Sequence, residues 1–331
     1  MEKKKLKIGI DISKLTLDVC YFVDNEKCHQ QVKNKPSSIK SFLLKLKKRH
    51  NVIDLELFME NTGLYNWAIY QVGKELDILI YVINPLHLKR SIGLTRGKDD
   101  KIDAVRILLF SERFYDTLKP YPIPSKVIQK IKLMFALRSR IIDAKKLFKA
   151  PITEVKSMVE KENYKEVLSI SNKIIKQLDS QLKAVEKELD LMIQEDECIY
   201  ENFQYITSVQ GVGKVLACYL ILKTNNFTLL NDPKKLACYA GVVPFDYQSG
   251  TSIYRKPRVS FLADKKLKKI LHMAALRVVR LDGDLKKYYI KKVIEGKNKM
   301  SVINAVRNKL IARICSVVNN KRIYQINLQL S

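Results

Sequence analysis

The sequence has no long apolar run, no paired-cysteine motif and few histidines. No stretch of 18 or more apolar residues occurs, so we expect no membrane span. None of the six cysteines forms a CxxC pair and only four histidines occur, which disfavours a zinc site and favours reduced, mostly buried thiols. Residues 1–12 lack the apolar core of a signal peptide. We therefore expect a cytoplasmic location.

The chain is also short of acidic residues relative to basic ones. It has 34 Asp and Glu against 61 Lys and Arg, a formal net charge of +27. This balance predicts a polyanionic partner, either nucleic acid or an acidic membrane surface. The excess is concentrated in residues 255–322, with 20 Lys and Arg against four Asp and Glu and with interleaved aromatic residues. We predict that this segment is a nucleic-acid-binding surface.

The residue patterns divide the 331 positions into three parts. Residues 1–120 read strand, strand, helix, strand, helix, strand, helix, which predicts an α/β domain with a mixed sheet. Residues 121–202 begin with a proline-rich linker and continue as helix, with an apolar seam from Val167 to Met192 at steps of three or four. The seam suits a helix packed within its own chain or a coiled-coil dimerisation arm. Residues 203–331 are predicted to be mainly helical.

A glycine-rich turn lies near the start of the third part. Gly211 and Gly213 stand between two apolar patterns, and Lys214 follows them. The arrangement resembles a helix-hairpin-helix turn, in which glycines let the backbone approach a phosphate and the next helix offers its N-terminal amides. A plain corner between two helices is the alternative. All three residues are candidate nucleic-acid contacts.

Four acidic residues of the first part lie where strands end or a helix begins. Asp11 ends the first strand, Glu60 ends a later strand, and Asp100 and Asp103 share one face of a helix start. Each could be a cap or a surface charge by itself. Together they supply the oxygen ligands that Mg²⁺ or Mn²⁺ prefers, in the arrangement of ribonuclease-H-like nucleases.

Three neighbouring acids are less favoured as metal ligands. Asp18 belongs to the second strand and can point elsewhere, and Asp99 breaks the three-residue spacing to Asp103. Glu56 is the third. The predicted metal-binding set is therefore Asp11, Glu60, Asp100 and Asp103.

Six short motifs closely resemble one known family, the DEDD insertion-sequence transposases, a group that includes the pilin-gene invertases. Three resemble its RuvC-like domain and three its C-terminal transposase domain, so the resemblance covers nearly the whole chain in the family's order. The motifs are Ile8-Gly-Ile-Asp-Ile-Ser-Lys, Phe58-Met-Glu-Asn-Thr-Gly, Lys98-Asp-Asp-Lys-Ile-Asp-Ala, Ser208-Val-Gln-Gly-Val-Gly, Leu236-Ala-Cys-Tyr-Ala-Gly-Val-Val-Pro and Gln248-Ser-Gly.

The resemblance implies a recombinase that cleaves and exchanges the DNA strands of an insertion element. Family members use a serine near a Ser-Gly step as the DNA nucleophile, together with the N-terminal acids and their magnesium. This implies Ser249 as the nucleophile, with Ser252 as its rival. Arg255, Lys256 and Arg258 would hold phosphates near that serine, through charge and forked donors.

The resemblance also implies partners. Several members are guided by a structured RNA of their own element, so a guide RNA is expected beside the DNA. Strand exchange between two duplexes needs several active sites, which favours a homodimer or homotetramer associated with the nucleoid. The sequence departs from the family pattern after the serine, where Pro257 interrupts the basic stretch and Phe261-Leu-Ala-Asp replaces a glycine-rich turn.

Three rival functions are considered. The first is a metal-dependent nuclease of the Holliday-junction-resolvase type, which uses water as its nucleophile. The second is a DNA invertase. The third is a nucleic-acid-binding protein without catalytic activity, and the four acids argue against it.

Overall fold

The chain, described by a computed structural model, divides into two compact units, Met1–Ile123 and Pro124–Ser331. The three-part division at residues 120 and 202 stays a prediction. No helix in the part of the chain that the structure describes is long and apolar enough to cross a membrane. The residues described are 5–24, 26–52, 54–91, 100–158, 160–249 and 253–325.

The first unit contains a five-stranded sheet and four helices along its described residues. The strands are β1 (Lys5–Ile12), β2 (Thr16–Val23), β3 (Glu26–Lys33), β4 (Asp54–Glu60) and β5 (Leu79–Ile83). The helices are α1 (Pro36–His50), α2 (Trp67–Glu75), α3 (Pro85–Ser91) and α4 (Asp100–Arg113).

The sheet is mixed, as the sequence predicts. Its strand order is β3-β2-β1-β4-β5. The strands β1, β2 and β3 form an antiparallel meander, whereas β4 and β5 run parallel to β1. Two elements, β3 and α3, are absent from the sequence reading. The edge strand β3 has the polar sequence EKCHQQVK, in which only Val32 is buried, so it shows no apolar alternation.

The two faces of the sheet pack on different helices. One face shares a core cluster with α1 and α2 that includes Ile8, Leu43 and Ile69. The other face packs on α4, where Phe58 contacts the cluster of Ile107. The unit therefore has three layers, and the residues of each strand alternate between the α1 side and the α4 side.

Helix α4 approaches β1 closely because of Gly9. A Cβ atom on Gly9 would lie 2.4 Å from the carbonyl oxygen of Ala104 and 2.8 Å from Cβ of Leu108. No side chain fits at this position without moving the helix, which explains the glycine of the Ile8-Gly-Ile-Asp motif.

Helix α1 has clear start and stop signals. Pro36 occupies its first turn, where the missing N–H costs nothing. Asn51 ends the helix in the left-handed conformation at φ 49° and donates its N–H to the carbonyl of Lys47. Ile39, Leu43 and Leu46 form its buried stripe, so its remaining faces carry the polar and basic residues.

The second unit is mainly helical within the described residues. Its helices are α5 (Lys126–Met158), α6 (Lys165–Gln194), α7 (Glu197–Ser208), α8 (Lys214–Thr224), α9 (Pro233–Tyr239), α10 (Lys265–Val278), α11 (Asp284–Ile294) and α12 (Lys299–Asn319). One core cluster contains residues of all eight helices. It includes the amino-terminal part of α5 and the carboxyl-terminal part of α6.

The long helices α5 and α6 pack against each other over many residues. The apolar seam of α6 is buried at its carboxyl end, where Val185 and Leu189 join the core. Toward its amino end the same seam becomes exposed, with Val167 59 % and Ile170 60 % accessible. The seam therefore serves both as intrachain core and as an apolar surface with no covering in this chain's described residues.

A two-stranded antiparallel sheet interrupts the helices of the second unit. Its strands are β6 (Pro244–Ser249) and β7 (Ile253–Val259). The prediction of a mainly helical third part does not include this hairpin, because β6 is largely polar, β7 is basic and Pro257 lies inside β7.

We predict that Gly9→Ala destabilises the first unit by about 1–3 kcal/mol, because the added methyl group overpacks the contact between β1 and α4. Urea unfolding followed by the fluorescence of Trp67, the sole tryptophan, reports on this unit. Gly213→Ala is the control, since no described atom lies within 4 Å of the added Cβ. Equal unfolding midpoints for the two variants would contradict the close-contact role of Gly9.

Candidate active site

Asp11 lies on the sheet face that α4 covers. Side chains alternate along a strand, so Asp11 shares the face of Gly9, two residues earlier. Asp11 is partly buried and lies one residue before the carboxyl end of β1. Asp11 therefore lies near the carboxyl end of β1, as the sequence predicts, and on the α4 side of the sheet.

Glu60 reaches the same edge on the neighbouring strand. The strands β1 and β4 are parallel and in register, with Gly9 opposite Phe58 and Ile10 opposite Met59. Glu60 therefore follows Met59 as Asp11 follows Ile10. Phe58, two residues before Glu60, packs on α4, so Glu60 also points to the α4 side.

Helix α4 runs antiparallel to β1 and brings its first turn to this edge. Tyr115, just beyond the carboxyl end of α4, donates its hydroxyl to Glu56 Oε1 at 2.8 Å, near the amino end of β4. The amino end of α4 therefore lies at the carboxyl ends of the strands. Asp103 is in this first turn, next to Ala104, the residue that contacts Gly9.

Glu60 and Asp103 interact electrostatically. Burial raises the pKa of Glu60, and the negative charge of Asp103 raises it further. Asp103 is itself paired with Arg106, whose Nη1 lies 2.7 Å from Oδ1 of Asp103. The structure thus brings together two carboxylates on different elements and leaves their repulsion only partly compensated.

These residues fit a hard divalent cation in their chemistry. Asp11, Glu60 and Asp103 offer carboxylate oxygens from two strands and one helix, and a cation among them would relieve the repulsion that raises the Glu60 pKa. Asp100 is the first residue of α4, one turn before Asp103, and its side chain lies outside the described residues. Among the described side chains, no three His, Cys, Asp or Glu residues lie close enough together to hold a metal ion.

Asp18 also lies on the α4 side, which differs from the sequence expectation that it can point elsewhere. Asp18 and Asp11 are directly opposite each other in the antiparallel pair of β1 and β2, so their side chains share a face. Asp18 is 3 % exposed. It accepts a hydrogen bond from Gln31 Nε2 at 3.3 Å, and His29 Nε2 lies 3.2 Å from its Oδ1. Counting the register across the hairpin turn would have revealed this pairing.

Asn66 fixes the turn that follows Glu60, and sequence reasoning does not single it out. Its side chain is fully buried. Oδ1 accepts from the backbone N–H and the hydroxyl of Thr62, and Nδ2 donates to the carbonyl of Glu60 at 3.4 Å and to the hydroxyl of Tyr70 at 3.2 Å. These bonds hold the backbone at the end of β4. The sequence signal for this role is an asparagine between the Asn61-Thr-Gly turn and the start of α2.

Glu56, another of the neighbouring acids, lies apart from the site. Glu56 faces the α4 side but near the amino end of β4, where it is 2 % exposed and accepts from Tyr115. Its position is far along the strand from Glu60. Asp99 lies outside the described residues.

The glycine-rich turn joins α7 to α8 in the second unit. Gly211 has φ +86°, and a Cβ there would lie 2.6 Å from Cβ of Val278, so this glycine is required by packing on α10. Gly213 precedes α8 in extended conformation with open space around it. The ammonium of Lys214 is 2.6 Å from Asp190 Oδ2. The turn therefore leaves Gly213 accessible, whereas Gly211 and Lys214 have internal partners.

Ser249 is the last residue of β6, at the end of the hairpin where the two strands are connected. Its backbone pairs with Ile253, and its side chain lies outside the described residues, as do those of Arg255 and Lys256. Arg258 is exposed on β7. Ser252, the rival nucleophile, lies outside the described residues altogether.

Two family models match this chain. A model described as "Transposase" matches residues 8–155, which include Asp11, Glu60 and Asp103. A second, described as "Transposase IS116/IS110/IS902 family", matches residues 203–290.

Three curated proteins are similar to this chain over much of its length. The pilin gene-inverting protein of Moraxella lacunata is 27 % identical over 329 residues, and that of Moraxella bovis is 25 % identical over 328, each covering 96 % of this chain and 97 % of the relative. The transposase for insertion sequence element IS1533 of Leptospira borgpetersenii is 24 % identical over 251 residues, which cover 68 % of this chain and 71 % of the relative.

A solved structure is similar to part of the chain. It is T. thermophilus RuvC in complex with a Holliday junction substrate, at a TM-score of 0.29 and 14 % identity. The match covers 36 % of this chain and 100 % of that one.

The raised pKa of Glu60 predicts a pH-dependent stability. Because folding raises this carboxyl pKa, ionised Glu60 destabilises the fold, and stability falls as the pH rises from the ordinary carboxyl pKa through the raised one. In the absence of divalent ions, Glu60→Gln should raise the midpoint of thermal unfolding at pH 7 by about 2 °C and flatten its pH dependence above pH 4. Thermal scans between pH 4 and 8 measure both effects.

Glu112→Gln serves as the control for that experiment, because Glu112 is an exposed acid on α4, the helix that carries Asp103. It should leave the pH profile of the wild-type chain unchanged. If Glu60→Gln and Glu112→Gln gave the same profile, the raised pKa of Glu60 would be refuted.

Proposed function

Since this chain belongs to the IS116/IS110/IS902 family of transposases, enzymes of DNA recombination, we propose that it cleaves and exchanges DNA strands with a divalent metal centre and a serine nucleophile. The electrostatic interaction of Glu60 with Asp103 at the sheet edge carries the proposal. Glu60 and Asp103 repel each other there, and Asp11 lies on the same face of the adjoining strand. A site built in this way carries excess negative charge, which a bound cation would offset.

Asp11, Glu60 and Asp103, together with Asp100, would hold Mg²⁺ or Mn²⁺. Such an ion stabilises the negative charge that develops on the attacking and leaving oxygens of a phosphodiester. Arg106 would neutralise Asp103 when the ion is absent, through the 2.7 Å contact between them. Asn66 keeps the backbone of Glu60 in place, so this carboxylate is held for binding by buried hydrogen bonds.

The order and directions of the strands support a ribonuclease-H-like assignment of the first unit. Three antiparallel strands followed by two that are parallel to the first place both strand-borne acids at one edge. The helix that carries Asp103 then covers the face to which they point. These features support the RuvC-like domain that the family resemblance and the sequence pattern predict.

For the nucleophile we propose Ser249. The bond from its Oγ to phosphorus forms as the bond from phosphorus to a sugar oxygen breaks, and the serine proton ends on that released sugar oxygen. The support is the family resemblance and the position of Ser249 at a hairpin end, with Arg255, Lys256 and Arg258 on the second strand. Phosphate contacts from those cations would hold the DNA backbone near the hydroxyl.

For partners we propose DNA, a guide RNA and further copies of the chain. The basic segment 255–322 supports nucleic-acid binding, and the family resemblance supports the RNA. The exposed part of the α6 seam supports assembly, because Val167 and Ile170 present an apolar stripe that a second copy would cover. Strand exchange requires more than one active site, and self-association supplies them.

Two substitutions test the catalytic proposal on DNA that carries the element ends. Asp11→Asn should lower metal-dependent cleavage by roughly 10³-fold, as loss of a principal electrostatic group does. Ser249→Ala should abolish both strand exchange and the covalent protein–DNA adduct that denaturing gels reveal. Ser252→Ala is the matched control and should retain the adduct.

The outcomes separate the rival functions. Cleavage that survives in Ser249→Ala and depends on Asp11 would indicate a nuclease that uses water. An adduct that is lost in Ser252→Ala but kept in Ser249→Ala would move the nucleophile to Ser252. Activity unaffected by Asp11→Asn would refute the metal centre.

We further predict that Val167→Glu together with Ile170→Glu dissociates the assembly to monomers, because two charges would be buried in the proposed interface. Light scattering coupled to size-exclusion chromatography measures the mass. Ile294→Glu is the control, since Ile294 is 80 % exposed on α11, away from the seam. An unchanged mass for the double variant would exclude this face as the interface.

A further inference from the structure

A groove in the first unit lies between the edge strand β3 and helix α1. Its volume is about 710 Å³, and it is open to solvent. Gln30 and Lys33 line it from the strand side, and Ser38, Ser41 and Lys45 line it from the helix side. Neither the sequence motifs nor the family resemblance assigns a role to this groove.

The groove is positively charged without compensation. Lys33, Lys45 and Arg49 line it, and no described Asp or Glu does. In the described part of the chain these three cations form no salt bridge, whereas Lys40 on the same helix pairs with Glu75. Three exposed cations held near one another repel each other, so the groove favours an anion.

The neutral groups of the groove are those that bind phosphodiester backbones. Ser37, Ser38 and Ser41 offer hydroxyl groups and Gln30 offers an amide, beside the cations. Serine, glutamine, lysine and arginine side chains together make the usual contacts to nucleic-acid phosphates and sugars. An acidic peptide would pair with the cations. It would not offer the regularly spaced oxygen atoms that the serine hydroxyl groups could bind.

The groups on α1 form one continuous row. Ser38, Ser41, Lys45 and Arg49 are spaced by three or four residues, so they lie on one helix face. Because the helix rises 1.5 Å per residue, the row is roughly 16 Å long, enough for a few consecutive phosphates. Ile39 and Leu43 on the opposite side anchor the helix in the core, which fixes the row in place.

The groove belongs to the side of the sheet opposite the acids. Helix α1 packs on the face of Ile8, whereas Asp11 and Glu60 point to the face covered by α4. We propose that the groove between β3 and α1 binds the sugar–phosphate backbone of a nucleic-acid segment other than the one being cleaved. This site extends the proposed function but does not depend on its metal centre or its nucleophile.

The test is equilibrium binding of the full chain in a metal chelator, so that no cleavage can occur. Fluorescence anisotropy is measured with three 20-nucleotide probes of one sequence: single-stranded DNA, duplex DNA and single-stranded RNA. Lys45→Gln with Arg49→Gln should weaken binding of at least one probe about ten-fold and lower the slope of log affinity against log salt concentration by about 2.

Lys47→Gln with Lys48→Gln is the matched control. It removes the same charge from the carboxyl-terminal half of α1, but neither residue lines the groove. This variant should bind each probe within about two-fold of the wild-type chain, since the lost charges lie outside the groove. Thermal unfolding midpoints that match for both variants show that the fold is intact, because all four side chains lie on the helix surface.

The probe with the largest difference between the two double variants identifies the bound nucleic acid. Equal affinities of the two double variants for all three probes would overturn the proposal. Failure of the catalytic proposal would leave this result unaffected, because binding is read without metal and without cleavage.

Discussion

The close contact between helix α4 and strand β1 at Gly9 is the constraint on which the candidate site depends. A Cβ atom at this position would lie only 2.4 Å from the carbonyl oxygen of Ala104. Any side chain would therefore push the helix away from the strand. With the helix seated, its first turn lies at the carboxyl edge of the sheet, and Asp103 comes within electrostatic reach of Glu60. Burial raises the pKa of Glu60 and the negative charge of Asp103 raises it further, so keeping Glu60 ionised at this edge costs stability.

Polar groups buried around this edge keep the acids in position. Asn66 bonds to the backbone at the end of β4, and Asp18 stands opposite Asp11 with Gln31 and His29 beside it. Buried polar groups of this kind are stable only when their hydrogen bonds are made, so they favour a single geometry for the strands' ends. Asp11 and Glu60 thus lie on a sheet edge whose backbone is held by buried hydrogen bonds.

One group of cations in the first unit, in the groove between β3 and α1, lies away from these acids, whereas Arg106 pairs with Asp103. The cations of the groove between β3 and α1 lie on the α1 side of the sheet, and the acids lie on the α4 side. The second unit carries its basic excess on the hairpin and the helices that follow it. Under the proposed function, this separation would keep the groove lysines from competing with a metal ion at the acids.

The sequence by itself determined the mixed sheet, the helical second half and the positions of Asp11, Glu60 and Asp103 at element ends, because alternation, helical periodicity and turn residues are local signals. Only the tertiary structure decided that β3 exists, since an edge strand buries little and needs no apolar pattern. It also decided that Gly211 packs on Val278. Contact between distant helices depends on which surfaces meet, and no local window of sequence contains that information.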